Sequence, residues 1–296
     1  MLGMRILVSC CVVPLLIALF WLDAQSGSAA FILLGFCCAV SLRCSFELKQ
    51  LLHVRRMQPS FAMTALLSVL VVLAGWLIPL TELQGQEYQL LSSLGCIAMA
   101  VFLAFAVILL SECVRYTEPG QSMESVGASL LTVLYAGGLL AVTAQFRWFP
   151  GEQTAYYALA SVIICVKSGD TGAYTLGRLF GKRKLAPRLS PGKTWMGGVG
   201  ALLGSLLGGM LWLYLGGRLF EGSPQPQSAL NAAAFCLAMG VIGLWGDLCE
   251  SLIKRDCGKK DSAALMPGFG GMLDLVDSPL FAGPFALAWW YLLPLI

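Results

Sequence analysis

Apolar runs recur from one end of the chain to the other, separated by short polar stretches. Nine are readable, near residues 5–22, 28–43, 61–80, 89–110, 125–145, 154–176, 196–217, 229–248 and 276–295. Each holds about 15 to 24 residues, against the ~20 that a bilayer-spanning helix needs. The second is short. The sixth reads as interrupted, because Lys167, Ser168, Asp170 and Thr171 fall in its second half. The expected fold class is all-α: a polytopic membrane protein of about nine transmembrane helices.

Composition supports this class. The chain of 296 residues is 58% hydrophobic and 12% charged, about half the charged fraction of an ordinary soluble domain. A single large water-soluble core is excluded. The connecting stretches TELQGQE and EGSPQPQ are too short for an extramembrane domain, and no internal repeat or low-complexity tract is visible. The expected organisation is one membrane domain over 1–296. Within it, 1–150 is apolar and scaffold-like, while 151–296 carries most of the charged and glycine-rich motifs. The first 27 residues resemble a signal peptide in layout, with Arg5, an apolar run from Ile6 to Leu22, and then AQSGSA. With so many spans following, an uncleaved first helix is expected.

Charge placement orients the chain. Nine spans divide the loops between two sides, and one side receives 16 of the 19 Lys and Arg residues. The other receives Arg147 and Arg218, and Lys167 sits at membrane depth. Lys and Arg favour the cytoplasmic side of short loops, so the N-terminus is expected in the cytoplasm. The eleven cysteines form no CxxC and no Cys/His cluster. They read as small buried hydrophobes instead of disulfides or zinc ligands. The only histidine, His53, reads as a surface residue.

Two stretches carry the candidate chemistry. The first, GDLCESLIKRDCGKKDSAALMPGFGGMLDLVDS (246–278), holds ten charged residues in 33. Asp247 and Glu250 share a helix face, and Lys254 continues it one turn later. Asp274 and Asp277 repeat the spacing just before the last span. Four carboxylates at one membrane face resemble a cage for a hard divalent cation that keeps positions open for water and phosphate. Lys254, Arg255, Lys259 and Lys260 suit phosphate oxygens, and Pro267, Gly268, Gly270 and Gly271 would let backbone approach a ligand closely. The competing reading is a solvated juxtamembrane loop, with Glu250 and Lys254 an ordinary i,i+4 pair.

The second stretch is SGDTGAYTLGRLFGKRKLAPRLSPGKTW (168–195). Ionisable residues at membrane depth, here Lys167 and Asp170, usually face a bundle interior or an aqueous cavity. Six cations follow: Arg178, Lys182, Arg183, Lys184, Arg188 and Lys193. SPGKT reads as a phosphate-gripping turn built on Ser190, Gly192, Lys193 and Thr194. It is no Walker A loop, because position 187 is proline where that motif requires glycine. The competing reading is a basic anchor for anionic lipid. Together, the two stretches describe a carboxylate- and cation-rich site at the lipid surface, suited to chemistry on a lipid-borne phosphate.

These motifs resemble those of the phosphatidate cytidylyltransferases (CDP-diacylglycerol synthases). Residues 246–278 are similar to the family run G-D-L-x-E-S-x-x-K-R-x-x-x-x-K-D-S followed by P-G-H-G-G-x-x-D-R-x-D-S. GDTGAYTLGRLFGKRKLAPRLSPGKTW resembles its D-T-x-A-Y, F-G-K-x-K-L-A-P and S-P-x-K-T-W-E-G run. The resemblance is specific over about 165–280 and only compositional over 1–150. It implies transfer of a cytidylyl group from CTP to phosphatidate, with 151–296 as the catalytic half. The implied catalytic set is Asp247, Lys254, Arg255, Lys260, Asp274 and Asp277. The implied substrate-binding set is Asp170, Lys182, Lys184, Ser190, Lys193, Thr194, Gly270 and Gly271. Asp247, Glu250, Asp274 and Asp277 are the expected ligands of Mg²⁺, with a second, monovalent cation as a further candidate. The expected partners are CTP and membrane phosphatidate, with no nucleic acid and with a homodimer as a candidate assembly. The expected location is an inner or cell membrane, with the active site on its cytoplasmic face.

Three positions depart from the family pattern: Phe269 replaces its histidine, Leu275 its arginine and Met196 its glutamate. These departures keep open a non-catalytic or substrate-shifted relative. The polar sixth span keeps open an anionic-solute transporter, although no repeat supports one. A CDP-alcohol phosphotransferase would need D-G-x-x-A-R, which is absent.

Overall fold

The structure, a computed structural model, describes residues 2–54, 60–81, 86–149, 154–220, 224–265, 270–293 and 295–296. Helices carry nearly all of it: α1 (Leu2–Gln25), α2 (Phe31–His53), α3 (Phe61–Ala74), α4 (Leu77–Thr81), α5 (Gln86–Arg115) and α6 (Ser122–Thr132). A buried π-helical segment (Val133–Gly138) leads into α7 (Leu139–Ala144), and α8 is Ala155–Phe180. A hairpin of β1 (Lys184–Ala186) and β2 (Ser190–Thr194) precedes α9 (Trp195–Leu215), α10 (Ala229–Asp256) and α11 (Met272–Leu292). Each predicted apolar stretch falls mostly on helix among the described residues. Among the described residues, five segments are long and apolar enough to cross a membrane: Phe31–His53, Gln89–Arg115, Ser122–Trp148, Trp195–Leu219 and Ala229–Asp256. Cys11–Gln25 and Phe61–Ala74 are shorter apolar helices, and α8 carries charge within its length. The chain is an all-α polytopic membrane protein, of which these five spans are the part that length and hydropathy establish.

Two compact units divide the chain. One comprises Met1–Trp148 and Asp256–Leu275, the other Phe149–Arg255 and Val276–Ile296. Residues 256–275 group with the N-terminal helices.

In the first unit, α2 and α3 pack on each other and on the π-helical segment. The turn from α1 to α2 is held by a buried ion pair, with Arg147 Nε 3.1 Å from Asp23 Oδ2. Asp23 Oδ1 accepts the Leu33 amide at 2.8 Å, and the Arg147 guanidinium donates to the Gly27 carbonyl at 2.9 Å. Two indoles, Trp148 and Trp76, donate to the carbonyls of Ser28 and Ala29 and meet edge-to-face at 4.9 Å. A buried charge is tolerated only when paired and hydrogen-bonded, and here both conditions hold. Arg147, an exception to the charge asymmetry of the loops, is thus engaged in holding the turn. His53 is exposed, as expected.

A second buried carboxylate, Glu47 on α2, meets the 262–273 segment. Its Oε2 accepts the Leu273 amide at 2.9 Å and shares the Ser262 hydroxyl, 2.8 Å away, with Asp274 Oδ2, while Oε1 accepts the Met272 amide at 2.9 Å.

In the second unit, α8 and α9 pack backbone against backbone. A Cβ at Gly172 would strike the Gly200 carbonyl, and one at Gly204 the Ser168 carbonyl. Small residues that permit such close approach are the usual device of helix pairs in membranes. Further along, the Tyr157 hydroxyl donates to the Leu213 carbonyl at 2.6 Å and the Trp212 indole to the Tyr157 carbonyl at 3.0 Å. Contrary to expectation, the sixth span is not interrupted: α8 runs unbroken for 26 residues. Its polar side chains are satisfied locally. Lys167 pairs with Asp170 at 3.3 Å, and Ser168, Thr171 and Thr175 donate to carbonyls one turn back. The SPGKT stretch, expected as a turn, is strand β2, pairing antiparallel with β1.

Candidate active site

Helix geometry brings three of the four expected carboxylates together. Asp247 and Glu250 lie one turn apart on α10, and Asp277 lies in the second turn of α11. One ligand oxygen from each falls within 4.8 Å of the others. Glu250 is 0% and Asp277 5% exposed. Three carboxylates this close repel strongly in a poorly hydrated setting, so the arrangement requires compensating positive charge.

Two lysines supply part of it. Lys193 Nζ lies 2.9 Å from Asp247 Oδ2, and Lys254 Nζ lies 2.5 Å from Glu250 Oε2. Asp277 Oδ1 accepts the Ser278 amide at 2.6 Å, and among the described residues no Lys or Arg nitrogen stands within ion-pair distance of it. The three carboxylates together could hold a metal ion. The donors are all hard oxygens, which fits Mg²⁺ better than zinc or a thiolate-binding metal.

The fourth expected ligand is engaged elsewhere. Asp274 Oδ2 accepts the Ser262 amide at 2.9 Å, the Ser262 hydroxyl at 2.6 Å and the Gly271 amide at 2.7 Å. This folds the segment ahead of α11. The three-residue spacing of Asp274 and Asp277 is thus used for two tasks. Gly270 and Gly271 make room for the chain's own carboxylates: a Cβ on Gly270, at φ 99°, would meet the Asp274 carboxylate, and one on Gly271 would meet Ser262 Oγ and the Glu47 carboxylate. Pro267, Gly268 and Phe269 lie outside the described residues.

A cavity of about 460 Å³ opens beside Asp247, with Asp170, Tyr174, Arg178, Ser190 and Lys193 in its wall. Its shape follows from local structure. Thr194 accepts the Gly197 amide at 3.0 Å and caps α9. Lys193, the preceding residue, is held by Asp247 and by the Leu244 carbonyl at 3.2 Å. Arg255 Nε donates to the Leu189 carbonyl at 3.3 Å, tying the end of α10 to the hairpin. Lys182 and Lys184 are exposed on the hairpin, and Lys260 is exposed beyond α10. Met196 is an exposed residue in the first turn of α9, and Leu275 is half-buried on α11. A larger cavity in the first unit, about 980 Å³, is lined by residues such as Lys49, His53, Glu112, Arg115, Glu118 and Glu124; among the described residues, the carboxylates that converge closely enough to hold a metal ion are Asp247, Glu250 and Asp277.

Two cavity-wall residues, Tyr174 within the D-T-x-A-Y match and Arg178 among the six cations, pair with each other in a way the sequence reading did not state. Arg178 donates to the Tyr174 hydroxyl at 2.9 Å, with its guanidinium over the same ring. Their i,i+4 spacing on a helix was the available signal.

The family model described as "Cytidylyltransferase family" matches residues 3–293. A phosphatidate cytidylyltransferase of Bacillus subtilis is 33% identical over 213 residues, covering 72% of this chain and 76% of that protein. One from Pseudomonas aeruginosa is 34% identical over 209 residues, covering 68% and 70%. One from Haemophilus influenzae is 41% identical over 129 residues, and that alignment covers 44% of each chain. Matched along almost its whole length, the chain belongs to the cytidylyltransferase family.

Proposed function

We propose that this chain transfers a cytidylyl group from CTP to phosphatidate, giving CDP-diacylglycerol and pyrophosphate. The observation that carries the reading is the Asp247, Glu250 and Asp277 group, its last two members buried, with Lys193 and Lys254 against it. Named relatives with this activity, aligned over most of their length, support the choice of substrates.

An oxygen of the phosphatidate phosphate attacks the α-phosphorus of CTP. A P–O bond forms there, the bond to the β-phosphate oxygen breaks, and pyrophosphate leaves. The attacking group is already an anion, so no strong general base is required. That is why the absence of a histidine at Phe269 is compatible with the reaction. What remains is alignment and charge neutralisation. Asp247, Glu250 and Asp277 would hold Mg²⁺, which when bound neutralises phosphate charge and orients the nucleotide. Lys193, kept in place by Asp247 and the Leu244 carbonyl, presents its ammonium at the cavity wall. Lys182, Lys184 and Arg255 attract the polyanionic nucleotide. Ser190 and the Tyr174–Arg178 pair line the space beside it. The loops bearing these cations belong to the Lys/Arg-rich side of the chain, which supports an active site on the cytoplasmic face.

The test is product identification. Purified protein in detergent, given CTP, Mg²⁺ and phosphatidate, should yield CDP-diacylglycerol by mass spectrometry. A CDP-lipid formed only from another lipid phosphate would replace the acceptor, and no CDP-lipid from any would overturn the reading.

A further inference from the structure

We infer that Lys167 binds the phosphate of the lipid acceptor, standing at the inner end of a polar stripe on α8. The inference deepens the functional reading above and rests on it. All of the residues involved belong to the second unit. Lys167 lies near the middle of α8, which ends at Phe180, so it stands about 20 Å along the helix axis from the hairpin end. An ammonium this far inside a largely apolar helix is costly unless it meets counter-charge, water or a polar ligand.

Helical spacing puts Lys167, Thr171, Tyr174 and Arg178 on one face, each three or four residues from the next. Thr171, Tyr174 and Arg178 are exposed, and the Lys167 side chain is half-exposed. From Ala155 to Val166 the same helix is buried or half-buried, so the accessible stripe begins at Lys167 and runs to the hairpin end. The opposite side of the helix is taken by α9, which packs on Gly169 and Gly172. Tyr174 and Arg178 also stand in the wall of the 460 Å³ cavity, together with Asp170 and Lys193. Lys167 lies beyond that wall, one turn past Asp170. The cavity and its hairpin cations serve the nucleotide, and the inner end of the stripe is left for the second substrate.

Accessibility separates Lys167 from the other paired lysines here. Its side chain is 38% exposed, against 15% for Lys193 and 11% for Lys254. Its contact with Asp170 is also the longest of the three, at 3.3 Å. A half-exposed pair of this kind is weak, and an ammonium has three donors, so Lys167 can take a phosphate oxygen while it stays near Asp170. The position suits the reaction. Asp170, Asp247 and Asp277 act on one another electrostatically, so an anionic acceptor nears them only beside a cation. The Lys167 charge bears on Asp277 as well as on Asp170, which puts it at the carboxylate group where the acceptor oxygen has to arrive. The ligand this chemistry selects is a lipid-borne phosphate monoester, whose charge and free oxygens suit an ammonium.

Lys167→Met tests this, because it keeps an unbranched apolar stem and removes the charge. Binding is read without turnover, by native mass spectrometry of the detergent-purified protein with phosphatidate and, as a control, diacylglycerol of the same chains. Phosphatidate affinity should fall about 10- to 100-fold, diacylglycerol binding should stay as in wild type, and Lys167→Arg should restore most of the loss. In steady-state kinetics KM should rise for phosphatidate and hold for CTP. Phosphatidate affinity that ignores the substitution overturns the inference. So does an equal rise in both KM values, which would leave Lys167 only a counter-charge to the carboxylates. If Lys167→Met does not fold, Lys167→Gln takes its place with the same outcomes. A wild-type protein that holds phosphatidate through Lys167 but makes no CDP-lipid would sink the functional reading alone. One that makes CDP-diacylglycerol equally well with and without the lysine would sink the inference alone.

Discussion

Lys193 Nζ stands 2.9 Å from Asp247 Oδ2, so a strand residue of the SPGKT stretch pairs directly with a carboxylate of α10. The two come from the two stretches in which the chain concentrates its charge, and their side chains meet at one cavity. The pairing gives Lys193 two tasks: to offset the carboxylate group and to present an ammonium to a nucleotide phosphate.

Replacing Lys193 by Ala should raise KM for CTP and lower kcat/KM about 10- to 100-fold, equivalent to the ~1.5–3 kcal/mol of one charge-assisted hydrogen bond. Steady-state kinetics with varied CTP measure it. An unchanged KM would return the lysine to an electrostatic anchor at the membrane surface.

The glycine contact between α8 and α9 should be intolerant of a methyl group. Gly172→Ala places a Cβ against the Gly200 carbonyl, and Gly200→Ala places one against the Gly172 carbonyl. Backbone cannot step aside as a flexible side chain can, so each variant should lose about 1–3 kcal/mol of stability. The midpoint of unfolding in detergent reports this. Gly192, where a Cβ meets nothing within 4 Å, serves as the tolerant control for folding.

The Asp23–Arg147 pair should be worth far more to the fold than a surface ion pair. With Arg147 replaced by Ala, Asp23 keeps the Leu33 amide but loses its buried counter-charge. Removing one partner of such a pair costs about 3–5 kcal/mol. The double variant Asp23→Asn with Arg147→Leu should recover part of that loss, because no uncompensated charge remains. A denaturant series on the three proteins separates the cases.

Much of this was legible in the sequence, and the failures have physical causes. The helices were legible because an apolar run of bilayer length has few other uses. Asp247 and Glu250 were legible as a pair because helical spacing alone puts them on one face. The continuity of α8 was hidden because Lys167, Ser168, Asp170 and Thr171 look costly at membrane depth, yet each finds a partner within one turn. The β1–β2 hairpin was hidden because strands this short carry little periodic signal. The engagement of Asp274 was ambiguous, since a D-x-x-D spacing suits a metal or a turn equally and only Ser262 and Gly271 decide between them. Glu47 was out of reach because its partners lie more than 200 residues away, and its one local sign, Arg43 a turn earlier, is an ordinary surface pattern.

The central claim is that Asp247, Glu250 and Asp277 hold a divalent cation that the transfer requires. Pyrophosphate release from CTP and phosphatidate, measured side by side for wild type and Asp277→Asn across a Mg²⁺ titration with an EDTA control, tests it most directly. The expected result is release from wild type that needs both substrates and stops with EDTA, and little or none from an Asp277→Asn protein that unfolds at the wild-type midpoint. Full activity in the variant, or release from wild type that EDTA leaves untouched, would contradict the account.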